Sequence, residues 1–404
     1  MLADIREFMV NNEDRMVELQ ELLTSIPAIA PESGGDGESE KAKALLEWLE
    51  NAGFEDIELY GAPDKRVSSG VRPSIAVTVP GKSQQNIWIM AHMDVVPVGD
   101  LSLWDTNPWK CTRKDGKLYG RGCEDNQQGL ISAAFAALYF VENEIVPEYN
   151  IKLLFVADEE NGSQYGCIWL AENTDLFKSD DLVIIPDGGD SRGETIEIAE
   201  KNILWLKFDV HGKQAHGSRP DTGSNACLAA SDLVLRIHQL ENRFNRTDPL
   251  FKPDYSTLQP TKHDSNVDSI NIIPGEDTIC MDCRIIPVYT NKEVLREVDG
   301  IVEDIEDEYD VSIDYSIPQQ SESPQTPEDS PIVQMLSDAI MKSHGQETEL
   351  IGIGGGTVAG DLRRHGIDCA VWSTLDSLAH QPNEYCVIEN MIRDAITLAA
   401  IFEN

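Results

Sequence analysis

His92 and Asp94 stand two residues apart at the end of an apolar run, Ile87–Ala91, and Asp158-Glu159-Glu160 follows a second run, Leu153–Ala157. A third run ends in Ile185-Pro186-Asp187-Gly188. Each places an imidazole or a carboxylate where a strand is expected to stop. In an open parallel α/β sheet such strand ends converge on one crevice, so residues distant in sequence become neighbours. With Asp125 and His380 added, two histidines and several carboxylates could meet there, the donor types of a two-metal hydrolytic site.

The residue types suggest a division of labour. His92 and Asp94 fall on one side of any extended segment, so one can ligate a cation while the other orients it. Asp125 lies in Tyr119-Gly120-Arg121-Gly122-Cys123-Glu124-Asp125-Asn126, just before an expected helix. A carboxylate there is either a helix cap or, with two oxygens free, a bridge between two cations. Glu124 competes for the role; Asp125 is preferred as the nearer to the helix start. Glu159 and Glu160, being adjacent, point in different directions, so one can coordinate while its neighbour carries a proton as general base. Asp187 and His380 complete the set, and one histidine plus carboxylates per cation suits zinc while also accepting cobalt or manganese. His211, His238, His263, His344 and His365 lack such a context and read as surface or structural residues. Gly354-Gly355-Gly356-Thr357 lacks the pattern of a phosphate loop, but its backbone N–H groups could hold a substrate carboxylate.

The elements that must position these groups follow from periodicity. Residues 1–25 and 39–53 read as amphipathic helices. Asn86–Ala91, Asn150–Ala157 and Asp181–Pro186 read as buried strands, with a helix at Gln127–Glu142. Near-continuous apolar strands separated by helices indicate a mostly parallel sheet covered on both faces. The character changes near Lys201. Ile203–Lys213 alternates like a half-exposed strand, Asn225–Phe244 and Asn291–Tyr309 are helical, and Val311–Pro318 is another strand. Asp268–Pro287 reads as two strands around the turn Pro274-Gly275-Glu276. That β-α-β-β-α-β order suits a small ferredoxin-like α+β domain with an antiparallel sheet. Gln319–Asp329 is a polar linker, after which Ser330 is placed to cap a helix over Pro331–His344 and Ile367–Ser373 is a buried strand leading toward His380. The expectation is an α/β catalytic domain of residues 1–202 and 317–404, interrupted by a lid of residues 203–316.

Composition narrows the class. The chain has 404 residues with 41% apolar content, enough for one large and one smaller core. Its longest nearly pure apolar stretch, Ile131–Val141, is too short to cross a bilayer, and no basic-apolar leader is seen, so a cytoplasmic location is expected. The net charge of −39, from 71 acidic against 32 basic residues, argues against a nucleic-acid partner. It serves either solubility or adaptation to a high-salt habitat. Eight scattered cysteines read as reduced core thiols. Cys280 and Cys283 form a CxxC, but strand alternation would turn the sulfurs to opposite faces.

In family order across nearly the whole chain, the motifs are His92-Met-Asp94, Gly120-Arg-Gly-Cys-Glu-Asp125-Asn126, Asp158-Glu159-Glu160, Pro186-Asp187-Gly188, Gly212-Lys-Gln-Ala-His216-Gly-Ser-Arg-Pro220 with Asn225-Ala226, and His380-Gln-Pro-Asn-Glu384. Together they resemble the zinc-dependent aminoacylase/carboxypeptidase family that includes acetylornithine deacetylase, succinyl-diaminopimelate desuccinylase, glutamate carboxypeptidase and related dipeptidases. The resemblance implies two zinc ions per subunit: one held by His92 and Asp187, the other by Glu160 and His380, with Asp125 bridging. Asp94 would steady His92, Glu159 would be the general base, and a cis peptide would follow Asp125. It further implies a homodimer through the lid, with His216 holding substrate and oxyanion, reaching across into the partner's site. Asn271 and Arg284 match lid positions that grip a substrate carboxylate.

Two departures bear on substrate choice. Val358 follows the glycines where many relatives have Asp, and Asn126 stands where a second Asp is common. The reading is hydrolysis of an N-acyl amino acid, with a metallo-dipeptidase or carboxypeptidase as the alternative. A catalytically inactive metal-binding relative would lack a ligand or the base, and none is missing. A phosphoesterase is the remaining rival for a two-metal site, disfavoured by the His216 and Arg284 matches.

Overall fold

The computed structural model describes residues 2–403, so Met1 of the expected first helix lies outside the described residues. The chain divides into two compact units, one of residues 1–198, 326–351 and 357–404, the other of residues 199–325 and 352–356. The first unit is built on a sheet of eight strands in the order Asp56–Pro63, Val71–Val79, Asn150–Val156, Asn86–His92, Leu182–Asp190, Asp368–Thr374, Thr195–Glu200 and Glu349–Ile353. Neighbours among the four strands from Asn150–Val156 to Asp368–Thr374 run parallel, and the pairings resolved outside them are antiparallel. Every residue of Asn86–His92 is buried, which is why that segment reads as an unbroken apolar run.

Period-2 alternation splits the core into two layers. Trp88, Met90, Leu154, Val183 and Ile185 face helices Cys167–Asn173 and Val358–Arg364, joining Leu170 and Leu362 in one cluster. The other face is closed by Gly129–Glu142, buried continuously from Gly129 to Phe140 and packed against the last helix, Ile388–Ile401. Each large apolar side chain buried here contributes about 1.5–3 kcal/mol over its exposed state.

Three local expectations are corrected. The expected helix over residues 1–25 is two helices, Leu2–Asn11 and Glu13–Thr24. The expected strand Asp181–Pro186 continues to Asp190, so Asp187 lies within it rather than after it. A register shift between Val371 and Ser373 lets the strand carry on: Gly189 has φ 151°, and a Cβ there would lie 2.0 Å from the Ser373 carbonyl oxygen. Ser330 occupies the N-cap position of Pro331–His344, but its hydroxyl donates to Asp368 Oδ2 at 2.5 Å and makes no cap bond.

The second unit carries a four-stranded antiparallel sheet in the order Thr257–Ser265, Glu276–Ile285, Asn202–His211 and Ser312–Ser321. Helices Ala226–Gln239 and Asn291–Tyr309 pack on one face over Leu206, Phe208, Ile279, Met281 and Cys283. A capping box between Thr290 and Glu293 fixes the start of the second helix. The β-α-β-β-α-β order is present, but the partner of Glu276–Ile285 is Thr257–Ser265, not a strand beginning at Asp268. Thr257–Ser265 is an edge strand with only Leu258 buried and a register shift after Pro260, so it lacks the apolar alternation that would have announced it. Ile272–Ile273 pairs instead with Ala215–His216. Cys280 is partly exposed and Cys283 buried, on opposite faces as alternation requires, and all eight cysteines are free thiols.

Candidate functional site

The C-terminal ends of the central strands bring one cluster together. His92 ends its strand, and its Nε2 lies 2.9 Å from Asp125 Oδ1 and 3.7 Å from Asp187 Oδ2. His380 Nε2 lies 3.2 Å from Asp125 Oδ2 and 2.8 Å from Glu160 Oε2. Each oxygen of Asp125 therefore faces a different imidazole. His92, Glu159 and Asp187 also place ligand atoms within 4.8 Å of one another, as do His92, Asp125 and Glu160. The cluster is closed at one end and open at the other, for the His92 side chain is 1% exposed and that of His380 56%.

Asp125 reaches this place by a sharp backbone turn. Gly122 has φ 82°, and a Cβ there would lie 2.6 Å from Val95 Cγ1. The Asp125–Asn126 peptide is cis. Asn126 then braces two neighbours: its amide donates to Asp187 Oδ1 at 2.8 Å, while its side-chain oxygen accepts the His92 backbone N–H at 3.3 Å. Glu124 turns away, accepting the backbone N–H of Asp376 at 2.7 Å and that of Leu378, so it anchors the loop leading to His380. In that loop Ser377, His380 and Asn383 all have φ of 60–65°. Non-glycine residues held there cost about 1–3 kcal/mol each, and such strain gathers at functional sites.

Asp94 lies against both His92 and the turn that carries the two glutamates. Its backbone carbonyl lies 3.0 Å from His92 Nδ1, while its carboxylate is 3.5 Å from that nitrogen. The carboxylate oxygens accept instead from the backbone N–H groups of Glu159 and Glu160, each at 3.1 Å.

Three residues that support this site, Glu384, Arg72 and Glu38, were given no role by the sequence. Glu384 is fully buried; it accepts from Arg121 Nη1 at 2.7 Å and from the N–H groups of Gly122, Glu124 and Asp125 at 2.9–3.1 Å. Its only signal was its place at the end of the His380 motif. Arg72 lies 3.2 Å from Asp158 Oδ1 and donates through Nε to Glu38 at 2.6 Å, a buried network behind the Glu159-Glu160 turn that no spacing announced.

Electrostatics show what the cluster lacks. Burial opposes charge on His92, but Asp187, Asp125 and Asp94 outweigh it and raise its pKa well above the ordinary value. Asp125 and Glu160 raise His380 to about 10. Burial lifts Asp187 to about 8 and raises Glu159 well above the carboxylate range, with the neighbouring carboxylates adding to both. Asp125, Glu159, Glu160 and Asp187 thus share two imidazoles, and Glu160 Oε1 is buried with no partner. Crowded carboxylates of this kind call for cations. The nitrogen and oxygen donors fit divalent metals of the zinc type.

The remaining expected residues lie on other elements. His216 is exposed; its Nδ1 accepts the Ser218 N–H at 3.1 Å, and the Gly217 N–H donates to the Asn271 carbonyl at 2.7 Å, so His216 and Asn271 share one ribbon. Arg284 is clamped by Asp282, donating from Nε at 2.7 Å and Nη2 at 3.1 Å, and its Nη1 donates to the Gly354 carbonyl at 2.8 Å. This brings Arg284 to the loop of Gly355 and Gly356. Thr357 caps the next helix, its hydroxyl oxygen accepting the Ala359 N–H at 3.1 Å.

A mixed α/β sheet with a histidine–carboxylate cluster at the ends of its parallel strands has the donor set of a metal site. The chain belongs to peptidase family M20/M25/M40, whose profile matches residues 88–404. It is 42% identical to an uncharacterized metallohydrolase of Methanococcus maripaludis, over 95% of this chain and 97% of that one. It is 28% identical to succinyl-diaminopimelate desuccinylase 2 of Ruegeria sp. strain TM1040, over 91% and 89% of the two chains. Among solved structures, an M20 family metallo-carboxypeptidase of Sulfolobus solfataricus superposes with a TM-score of 0.76 at 20% identity, covering 96% of this chain and 98% of that one.

Proposed function

We propose that the protein removes the acyl group from an N-acyl amino acid by amide hydrolysis. The observation that carries this reading is the two-sided Asp125, one oxygen toward His92 and the other toward His380, with Glu159 beside them. His92 and Asp187 would hold one divalent cation and Glu160 and His380 another, with Asp125 shared. Such a pair, zinc by donor type, supplies Lewis-acid activation of water and of the scissile carbonyl. Glu159 takes the proton of the attacking water on its carboxylate and returns it to the departing amine. His216 steadies the oxyanion, in trans if the chain is a homodimer through the second unit, and Arg284 with Asn271 and the Gly355-Gly356-Thr357 loop receives the substrate carboxylate.

The desuccinylase relative supports the deacylase form of this reading. A dipeptide offers Arg284 the same carboxylate, so the peptidase form is the alternative. Among the described residues no helix is long and apolar enough to cross a membrane, and we read the enzyme as cytoplasmic. The test is mass-spectrometric turnover of a mixed panel of N-acyl amino acids and dipeptides, with zinc, cobalt or manganese supplied. Glu159→Gln is the control, expected to keep the metal content of the wild type while turnover is abolished. Cleavage of the acyl amino acids alone supports the deacylase. Cleavage of dipeptides moves the assignment to the peptidases, and loss of metal from Glu159→Gln removes Glu159 as the base.

A further inference from the structure

Away from the histidine–carboxylate cluster, the second unit gathers another set of metal-ligand types. Cys227 lies in the first turn of helix Ala226–Gln239, His263 on the edge strand Thr257–Ser265, and Asp277 on the neighbouring strand Glu276–Ile285. The strand register explains the meeting. Ser265 stands opposite Asp277 and His263 opposite Ile279, so His263 and Asp277 share the sheet face that the helix covers. One ligand atom from each of Cys227, His263 and Asp277 lies within 4.8 Å of the other two.

Asp277 is what makes this arrangement informative. It is 2% exposed, and its neighbours of donor type are the other two ligand groups: His263 Nε2 lies 2.6 Å from Oδ1, and the Cys227 thiol also reaches the carboxylate. Burying a carboxylate is costly, and here the groups gathered around it are an imidazole and a thiol directed at the same point. We propose that Cys227, His263 and Asp277 form a further site for a borderline divalent cation of the zinc type, one not used in amide hydrolysis. One sulfur, one nitrogen and one oxygen donor match the preferences of zinc, whereas calcium and magnesium require oxygen alone.

The site joins an edge strand, its neighbour and a helix start, so the cation acts as a clasp on the exposed margin of this sheet. The helix N-terminus favours the thiolate that remains once a cation has displaced the proton to solvent. Binding therefore tightens as pH rises.

Cobalt(II) distinguishes this site from the catalytic cluster, because only a thiolate ligand gives an intense sulfur-to-metal charge-transfer band in the near ultraviolet. His92, Asp125, Glu159, Glu160, Asp187 and His380 include no thiol. The experiment loads the full-length, metal-stripped protein with cobalt to saturation, recording absorption and bound cobalt per chain. Cys227→Ser and His263→Gln are the variants, chosen because neither parent residue is fully buried, with circular dichroism to verify the fold. The wild type is expected to show the band, and each variant to lose it together with about one equivalent of cobalt. A wild type without the band, or a band that survives either substitution, overturns the proposal.

Discussion

Asp94 and Glu159 are joined through the backbone: Asp94 Oδ1 accepts the Glu159 N–H at 3.1 Å, while Oδ2 takes that of Glu160 at the same distance. The strand that ends in His92 therefore sets the position of the turn that carries both glutamates. Asp94 is a positioning residue for two groups at once, and its link to His92 runs mainly through its own backbone carbonyl. Groups that orient metal ligands in this way typically cost 10–100-fold when removed.

Asp94→Ala is accordingly expected to lower kcat/KM by about 10–100-fold, the range for lost orienting contacts. Asp94→Asn keeps one oxygen acceptor and should fall between the alanine variant and the wild type. Steady-state kinetics on the best panel substrate, with metal content measured alongside, checks the order. Equal activity for all three proteins would remove Asp94 from the positioning role.

Glu384 does the corresponding work for Asp125. Burial pushes its carboxyl up to about 7, against the pull of Arg121 and the surrounding N–H groups. Glu384→Gln leaves Arg121, which is 2% exposed, facing a neutral amide. Breaking a buried pair by removing one partner costs about 3–5 kcal/mol. Urea unfolding should show a loss toward the lower end, since glutamine retains one oxygen acceptor. Activity should drop as well, because the Gly122–Asp125 turn loses its anchor.

These two residues illustrate what the sequence could and could not convey. His92, Asp125, Glu160 and Asp187 were legible because apolar runs and glycines fix where strands stop and turn, and the sheet then converges them. Glu384, Arg72 and Glu38 were not, for a buried polar anchor is recognised by its partners rather than by its spacing. The fold shows the same asymmetry. Buried strands such as Asn86–His92 announce themselves, whereas Thr257–Ser265 is polar along nearly its whole length and gains strand form only from pairing with Glu276–Ile285. With that strand unseen, His263 was placed on no surface that Asp277 shares.

His344 sets a pH dependence of stability. Burial, then repulsion from Arg393, lowers its pKa from 6.5 to about 4, and its Nε2 lies 2.8 Å from Thr397 Oγ1. The unfolded chain binds the proton more readily than the folded one between those values. The neutral imidazole's contribution is therefore fully present above about pH 6.5 and is lost as pH falls toward 4. Thermal unfolding from pH 7 to 4 should show a smaller decline for His344→Gln than for the wild type, and identical declines would dismiss His344 as the titrating group.

Arg284 offers the sharpest test of substrate binding. Two of its donors are committed to Asp282 and one to the Gly354 carbonyl, which fixes the guanidinium plane before any substrate arrives. Fixing the plane reduces the entropy lost when a substrate carboxylate is gripped. Arg284→Lys keeps the charge but cannot hold both Asp282 oxygens and the Gly354 carbonyl in one plane. Charge-assisted hydrogen bonds contribute about 1.5–3 kcal/mol, so KM should rise by roughly 10–150-fold while kcat changes much less. Asp282→Asn should raise KM too, by less, since the fork loses its charged clamp but keeps its shape. A fall in kcat at unchanged KM in both variants would show that Arg284 serves the reacting centre rather than the substrate's carboxylate.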